Sequence, residues 1–309
     1  MRIAVFGAGG VGGYFGGRLA QAGNEVFFIA RGSHLAALRE YGLRVDSIKG
    51  DFHLQPVQAS DDPEAFGKVD FVLLATKAWQ VPEAAQKLST LLSTHSAVIY
   101  LGNGVEAAGQ LAAVVGARHV LGGLCQISAM IAAPGHIRHV GIEPKVSFGE
   151  LDGSTSSRLD SLRKAFENGG VVVNVPADIN VAIWQKFVFI ASISGVGAVA
   201  RAPVGVLRSL PETRQMLEMA IDEVIQVGCK QGVNLPADQA AITLTFIDQL
   251  DPAVMASMQR DIIAGRPSEL EAQNGAVVRL GLETGVATPM HTFIYACLLP
   301  QEMKARETS

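Results

Sequence analysis

Residues 2–31 read RIAVFGAGGVGGYFGGRLAQAGNEVFFIAR. Arg2–Phe6 is a short β-type run, glycines follow it at once, and Val11–Ala22 then suits a helix. Gly7-Ala8-Gly9-Gly10-Val11-Gly12 matches G-x-G-x-x-G. Alone that pattern is weak, but between a strand and a helix it marks a dinucleotide-binding βαβ unit. Gly7 permits the tight turn, Gly9 lets the backbone approach a pyrophosphate, and Gly12 lets helix and strand pack closely. The phosphates would sit at the helix N-terminus, where unpaired N–H groups and the helix dipole favour an anion. Gly7, Gly9, Gly10, Val11 and Gly12 are therefore candidate cofactor contacts.

The next strand, Glu25–Ala30, bears on which dinucleotide is bound. An NAD site expects an acid at its tip to hold the ribose 2′-hydroxyl. Here the strand ends at Arg31 with no acid, and a guanidinium suits a 2′-phosphate. The expected cofactor is NADPH/NADP+.

Further apolar runs, Val69–Ala75, Ala97–Leu101 and Val120–Leu124, alternate with helical patterns at Val81–Leu92 and Gly104–Val114. That alternation predicts an α/β, Rossmann-type doubly wound parallel sheet. Ile127–Ala133, Ile137–His139 and Lys145–Phe148 look like antiparallel additions, followed by a helix at Leu159–Glu167 and a last strand at Val171–Val175. After Pro176 only helical patterns remain: Ile179–Ala198, Glu212–Gln231, Ala237–Gln249, Pro252–Ile263, Pro267–Thr284 and Met290–Arg306. Pro267 suits a first helical turn. The expected domains are 1–176 for the dinucleotide and 177–309, all helical, for substrate and dimerisation. Residues after Lys304 are expected to fray.

With 309 residues, 49% hydrophobic and 17% charged, the chain has room for two cores. A net charge of -4 gives no reason to expect nucleic acid or an anionic membrane as a partner. Cys125, Cys229 and Cys297 form no CxxC pair and suit a reducing, cytoplasmic setting. The seven histidines form no HxxxH or HExxH, so no metal site is expected. The apolar stretch Ile179–Ala200 holds Lys186 well inside it and is read as a buried helix, not a membrane span. No G-x-S-x-G elbow or P-loop lysine is present.

GAGGVGGYFGGRLAQAGNEV at 7–26, ARG at 30–32, TKAWQ at 76–80, GNG at 102–104, WQK at 184–186 and SELEAQNG at 268–275 together resemble the ketopantoate reductase (2-dehydropantoate 2-reductase) family, over the whole chain. The resemblance implies a Rossmann domain followed by a helical domain. It also implies NADPH-dependent reduction of a 2-keto acid in a cleft between them, as in ketopantoate to pantoate in pantothenate biosynthesis, and it makes a homodimer common. Lys186 resembles the family's catalytic lysine, and an ammonium within an apolar helix is costly unless paired or used. It would protonate the oxygen as hydride reaches the carbonyl carbon. Glu269 resembles the second polar residue of the active site, binding the substrate hydroxyl and holding the lysine. On one helix, Glu269 and Glu271 would point about 200° apart, so only one faces the site. Lys77 and Asn103 each follow a predicted strand, at the edge where α/β sheets bind ligands. Their family counterparts contact the cofactor and, for Asn103, the substrate. Asn274 is a recurring family position, and Ser257 aligns with a serine that holds the substrate carboxylate.

The chain departs from the family where asparagines usually stand four and eight residues after the lysine: Ile190 and Ser194 occupy those positions. They line one helix face with Lys186. Losing a hydrogen-bonding group relaxes selection for a particular hydroxyl. The expected substrate is accordingly a 2-keto acid less polar than ketopantoate at this end, unless Ser192 or Asn274 supplies the missing contact. Two other readings are an enzyme of the same two-domain plan acting on another bond, by an opine- or imine-type reduction or a β-hydroxyacid oxidation, and a protein that senses NADPH without turnover. A sensor has no need of a buried proton donor such as Lys186 paired with Glu269.

Overall fold

The computed structural model describes residues 1–307. The chain divides into two compact units, Met1–Gly102 with Ala107–Ile179, and Asn103–Glu106 with the chain from Asn180 onward. The division thus falls at Ile179, not directly after Pro176, and the short segment Asn103–Glu106 joins the second unit.

The first unit contains ten strands: β1 Arg2–Phe6, β2 Glu25–Ile29, β3 Leu43–Ser47, β4 Phe52–Leu54, β5 Gln58–Ser60, β6 Val69–Leu74, β7 Leu92–Tyr100, β8 Val120–Ala133, β9 His136–Glu150 and β10 Val172–Asn174. They form one sheet in the order β4-β3-β9-β8-β7-β6-β1-β2-β5, with β10 beside β9. From β5 through β8 every pairing is parallel. Five helices belong to this unit: α1 Gly10–Gln21, α2 Gly32–Tyr41, α3 Val81–Leu88, α4 Ala107–Val115 and α5 Ser157–Asn168. Side chains alternate across a strand, so Ile3 and Val5 enter one apolar cluster while Ala4 and Phe6 enter another. Tyr14, Phe15 and Leu19 of α1 and Leu162 and Phe166 of α5 cover the first cluster. Val81 and Leu88 of α3 and Leu111 of α4 cover the second. Helices on both faces are what near-continuous apolar strands require, and the α/β doubly wound expectation holds.

Beyond β8 the sheet becomes mixed. The pieces 120–124 and 127–133, read separately in the sequence, form one strand, and β9 pairs with it antiparallel through the turn at Pro134-Gly135. The register jumps from Val140 opposite Ser128 to Lys145 opposite Gln126, so residues 141–144 bulge where Pro144 has no N–H for the ladder. Helix α2 and the short strands β3, β4 and β5 were not predicted. The only buried residues of α2 are Leu35 and Leu38, too few to set a visible period.

The second unit is helical: α6 Ile179–Ala200, α7 Val204–Ser209, α8 Pro211–Lys230, α9 Gln239–Gln249, α10 Ser257–Ile263, α11 Ala276–Thr284 and α12 Pro289–Glu307. Its core gathers Phe187, Val188 and Val196 of α6, Leu217 and Val224 of α8, Leu270, and Ile294 and Leu298 of α12. Helix α6 is long and apolar enough to cross a membrane, yet 61% of its most apolar window is buried.

Three expectations fail here for physical reasons. Residues 252–256 are not helical, because the carbonyls of Pro252 and Val254 accept from Gly205 and Val204 at the start of α7. The expected helix Pro267–Thr284 begins only at residue 271, with a π-turn over Glu271–Gly275 that leads into α11. Pro267 therefore lies in the connection ahead of it. At the C-terminus α12 continues through Glu307, past the expected fraying point, while residues 308–309 lie outside the described residues.

Candidate active site

In the first unit, the glycine loop joins the C-terminal end of β1 to α1. Gly7 has φ 98°, a conformation that glycine adopts without strain. Its N–H and that of Ala8 donate to Ile29 O at 3.1 and 3.2 Å, which ties the loop to the end of β2. A Cβ on Gly12 would lie 2.1 Å from Gly7 O, so only glycine lets α1 pack this close to the strand. A Cβ on Gly10 would lie 2.4 Å from Ala129 O, so Gly10 serves the packing of α1 against β8. Gly9 differs: the nearest atom to its added Cβ is Ile131 Cδ1, at 4.0 Å. The first intrahelical bond is Gly13 N to Gly9 O at 2.7 Å, which leaves the N–H groups of Gly10, Val11 and Gly12 without an intrahelical acceptor. No side chain caps α1 and its first turn holds no acid. Three free donors, a favourable dipole and an open approach at Gly9 fit the phosphates of a dinucleotide.

Arg31 directly follows β2 and Ala30 and is the residue before α2. Its Nη2 pairs with Glu83 Oε1 on α3 at 3.2 Å, and Glu83 also accepts from Lys87 at 2.7 Å. The Lys87 and Arg31 cations hold the Glu83 carboxyl below its ordinary range. Lys77 follows β6, its N–H donating to Gln80 Oε1 at 3.2 Å and its ammonium lying 5.8 Å from the Trp79 ring. Two neighbours of the loop escaped the sequence reading. The Thr76 hydroxyl is buried with no partner among the described residues, and its Cγ2 comes within 3.0 Å of a Cβ built on Gly7. His34 Nδ1 accepts from Gly135 N at 3.1 Å, so Nε2 carries the proton and donates to Ala8 O at 2.8 Å. One imidazole thus ties the glycine loop to the β8–β9 turn. Burial lowers the pKa of His34, opposed by its bond to Ala8.

The second unit brings together residues far apart in the chain. Asn103 Nδ2 donates to Glu269 Oε2 at 2.8 Å, across 166 positions. Gln273 Nε2 lies 3.5 Å from the same oxygen, and Glu269 is only 5% exposed. The expected direct hold of Glu269 on Lys186 is absent among the described residues; neutral amides orient the carboxylate instead. Glu271 is exposed and pairs with Arg279, while its other oxygen accepts from Tyr295 OH at 2.6 Å. Burial, with that bond, pushes the Tyr295 phenol up to about 12.

Lys186 is half-buried on α6, and Ile190, one turn on, packs against the core of the unit. Ser194 and Ser192 are fully buried, and their hydroxyls have no partner among the described residues. Asn274, also fully buried, donates from Nδ2 to Ala191 O at 3.2 Å and leaves Oδ1 unpartnered. Its amide enters because α6 carries glycine at 195, where a Cβ would lie 2.4 Å from Nδ2. Gly197 makes the same room for Gln259, whose Nε2 donates to Gly197 O and Ala202 O. Ser257 is the first residue of α10 and half-buried. Gln273 and Gln259 were missed; the only sequence signal was the four-residue spacing of Gln273 from Glu269.

Comparison with known proteins matches residues 3–153 to the family described as Ketopantoate reductase PanE/ApbA, and residues 178–302 to its C-terminal counterpart. The chain belongs to the ketopantoate reductase family.

An uncharacterised oxidoreductase of Bacillus subtilis is 31% identical over 96% of this chain and 98% of its own length. The 2-dehydropantoate 2-reductase of Mesorhizobium japonicum is 29% identical over 94% of each. A crystal structure of a PanE/ApbA family ketopantoate reductase from Ralstonia eutropha superposes with a TM-score of 0.90 at 30% identity, covering 99% of this chain and 100% of that one. Ketopantoate reductases are oxidoreductases that use a nicotinamide cofactor.

Proposed function

We propose that the protein reduces a 2-keto acid to a 2-hydroxy acid with NADPH, and that its substrate is less polar than ketopantoate where it meets Ile190. The observation that carries this reading is the pairing of functions on the second unit: a half-buried Lys186 on α6, and a buried Glu269 oriented by Asn103. When bound, NADPH would supply the hydride that reduces the carbonyl carbon. Lys186 supplies the proton to the carbonyl oxygen, so hydride and proton together yield the alcohol. Glu269, kept in one rotamer by two amides, accepts a hydrogen bond from the substrate hydroxyl. Ser257 is assigned the substrate carboxylate. The buried, unpartnered Ser194 hydroxyl and Asn274 Oδ1 are assigned the substrate's remaining polar groups, because orphaned buried polar atoms are costly unless a ligand or water completes them.

At the cofactor end, Arg31 is assigned the 2′-phosphate and Lys77 the ribose or nicotinamide side. The Arg31–Glu83 pair supports a second reading in which NADH is also used. A carboxylate already bound to the guanidinium competes with a 2′-phosphate and adds a like charge beside it.

The test measures kcat/KM for ketopantoate, 2-ketoisovalerate and phenylglyoxylate, each with NADPH and NADH. The less polar acids should exceed ketopantoate, and NADPH should exceed NADH. Lys186→Ala should cost roughly 10²- to 10⁴-fold in kcat while leaving NADPH binding unchanged. Saturating turnover of ketopantoate with a micromolar KM would overturn the substrate reading. NADPH binding without reduction of any acid would favour a sensor.

A further inference from the structure

The backbone that leads into Glu269 is held by an assembly of its own on the last helix. Residues 268–270 precede the π-turn, so the N–H of Ser268 has no helical acceptor. Glu302 of α12, 3% exposed, supplies one: both carboxylate oxygens accept from Ser268 N, at 3.1 and 3.0 Å. Its Oε2 also accepts from Ser268 Oγ at 2.6 Å, and Ser268 Oγ in turn accepts from Leu270 N at 3.2 Å. One turn along α12, Arg306 pairs with Glu302 Oε1 at 2.7 Å and donates from Nη2 to Ser268 O at 3.2 Å. Every polar atom of Ser268 is therefore bonded, and Ser268 itself is fully buried. On the other side, Gln273 N bonds Glu269 O and Gly275 N bonds Leu270 O, both at 3.0 Å. The Glu269 backbone is pinned from both directions.

A single neutral acceptor would satisfy one N–H. A buried carboxylate is costly unless it is paired and hydrogen-bonded, and charge-assisted bonds are the stronger kind. Arg306 neutralises Glu302, so the clamp stiffens the connection without adding a net charge near the Glu269 carboxylate. The π-turn that follows is a rare form that occurs frequently at functional sites.

We infer that Glu302, acting through Ser268 and backed by Arg306, is a positioning residue that sets the Glu269 carboxylate for the reaction. This rests on the role given to Glu269 above. Displacement of a reacting group by about 1 Å can cost on the order of a hundredfold.

The experiment compares Glu302→Gln, Ser268→Ala, Ser268→Thr, Glu269→Gln and the double variant E269Q/E302Q in the full chain. Ketopantoate and phenylglyoxylate are the substrate probes, and NADPH fluorescence reports cofactor binding. Glu302→Gln and Ser268→Ala should lower kcat/KM roughly tenfold or more, mostly through kcat, with NADPH affinity unchanged. Ser268→Thr keeps both the N–H and a hydroxyl and should restore activity to within about twofold. Amide exchange over residues 269–275 should quicken in Glu302→Gln. In the E269Q background, adding E302Q should cost less than about twofold, because the two act as one unit. The inference is overturned if folded Ser268→Ala and Glu302→Gln keep full activity, or if E302Q costs as much with E269Q as without it. Should Glu302→Gln fail to fold, Ser268→Ala against Ser268→Thr decides alone. If Glu269→Gln turns over normally, the role assigned to Glu269 fails instead.

Discussion

At the scale of single residues, the groups to which function is assigned above are held by others far away in sequence. Glu269 takes its orientation from Asn103, and the glycine loop is braced by His34 at Ala8. His34 makes a pH prediction. Burial lowers its folded pKa below the ordinary 6.5, so as pH falls the unfolded chain takes up the proton first. Its contribution to stability is complete above pH 6.5 and is lost as pH drops through the folded value. Protonation of Nδ1 would also cost the bond from Gly135 N and loosen the loop. Melting temperature and NADPH affinity should both fall below pH 6.5 in the wild type. In His34→Gln they should be lower at neutral pH and less sensitive to acid. An identical pH profile in the variant would remove this role. None of this was legible beforehand, since one histidine on a weakly patterned helix carries no signal until Ala8 and Gly135 are beside it.

Among the elements, α6 shows how composition was read correctly and incompletely. Its apolar length and internal Lys186 marked a buried helix of the second unit, and it is one. Composition did not reveal what Gly195 and Gly197 of this helix do. In the structure they are the openings through which the buried amides of Asn274 and Gln259 reach α6. Gly195→Ala should therefore cost about 1–3 kcal/mol of stability, because the new methyl must displace Asn274. Thermal melting checks the stability. A loss of kcat/KM beyond what the remaining folded fraction explains would tie Asn274 to the substrate. The connection before α11 gives the opposite lesson. Helical periodicity placed Glu269 and Glu271 on one helix and sent them to different sides. They do differ, Glu269 buried and Glu271 exposed, but Glu269 lies ahead of the π-turn that Glu271 begins, so the two do not share one regular helix.

For the whole molecule, the two units have separate cores. The first has an apolar cluster on each face of one sheet, and the second has a single helical core. A dinucleotide bound to the native first unit and not to the unfolded chain stabilises it by mass action, by about 2.7 kcal/mol at a hundred times Kd. Melting followed by amide exchange should show NADP+ protecting the glycine loop and β1, with residues 204–263 moved least. Equal protection throughout would mean that the units unfold together. What the sequence determined by itself was the local and periodic part. It set a strand, turn and helix at residues 2–21, parallel strands buried on both faces, a helical second half, and a lysine inside an apolar helix. Each follows from the preferences of neighbouring residues and from the need to bury an apolar face. The tertiary structure alone decided which distant groups complete the site. Asn103 joins the second unit, Gln273 and Asn103 hold Glu269, Glu302 fixes the backbone before it, and Glu83 pairs with Arg31. Apart from Gln273, four residues from Glu269, these contacts span 34 to 166 positions, and no local propensity encodes them. They exist because a buried polar group must find a partner, and only the folded chain brings one within hydrogen-bonding distance.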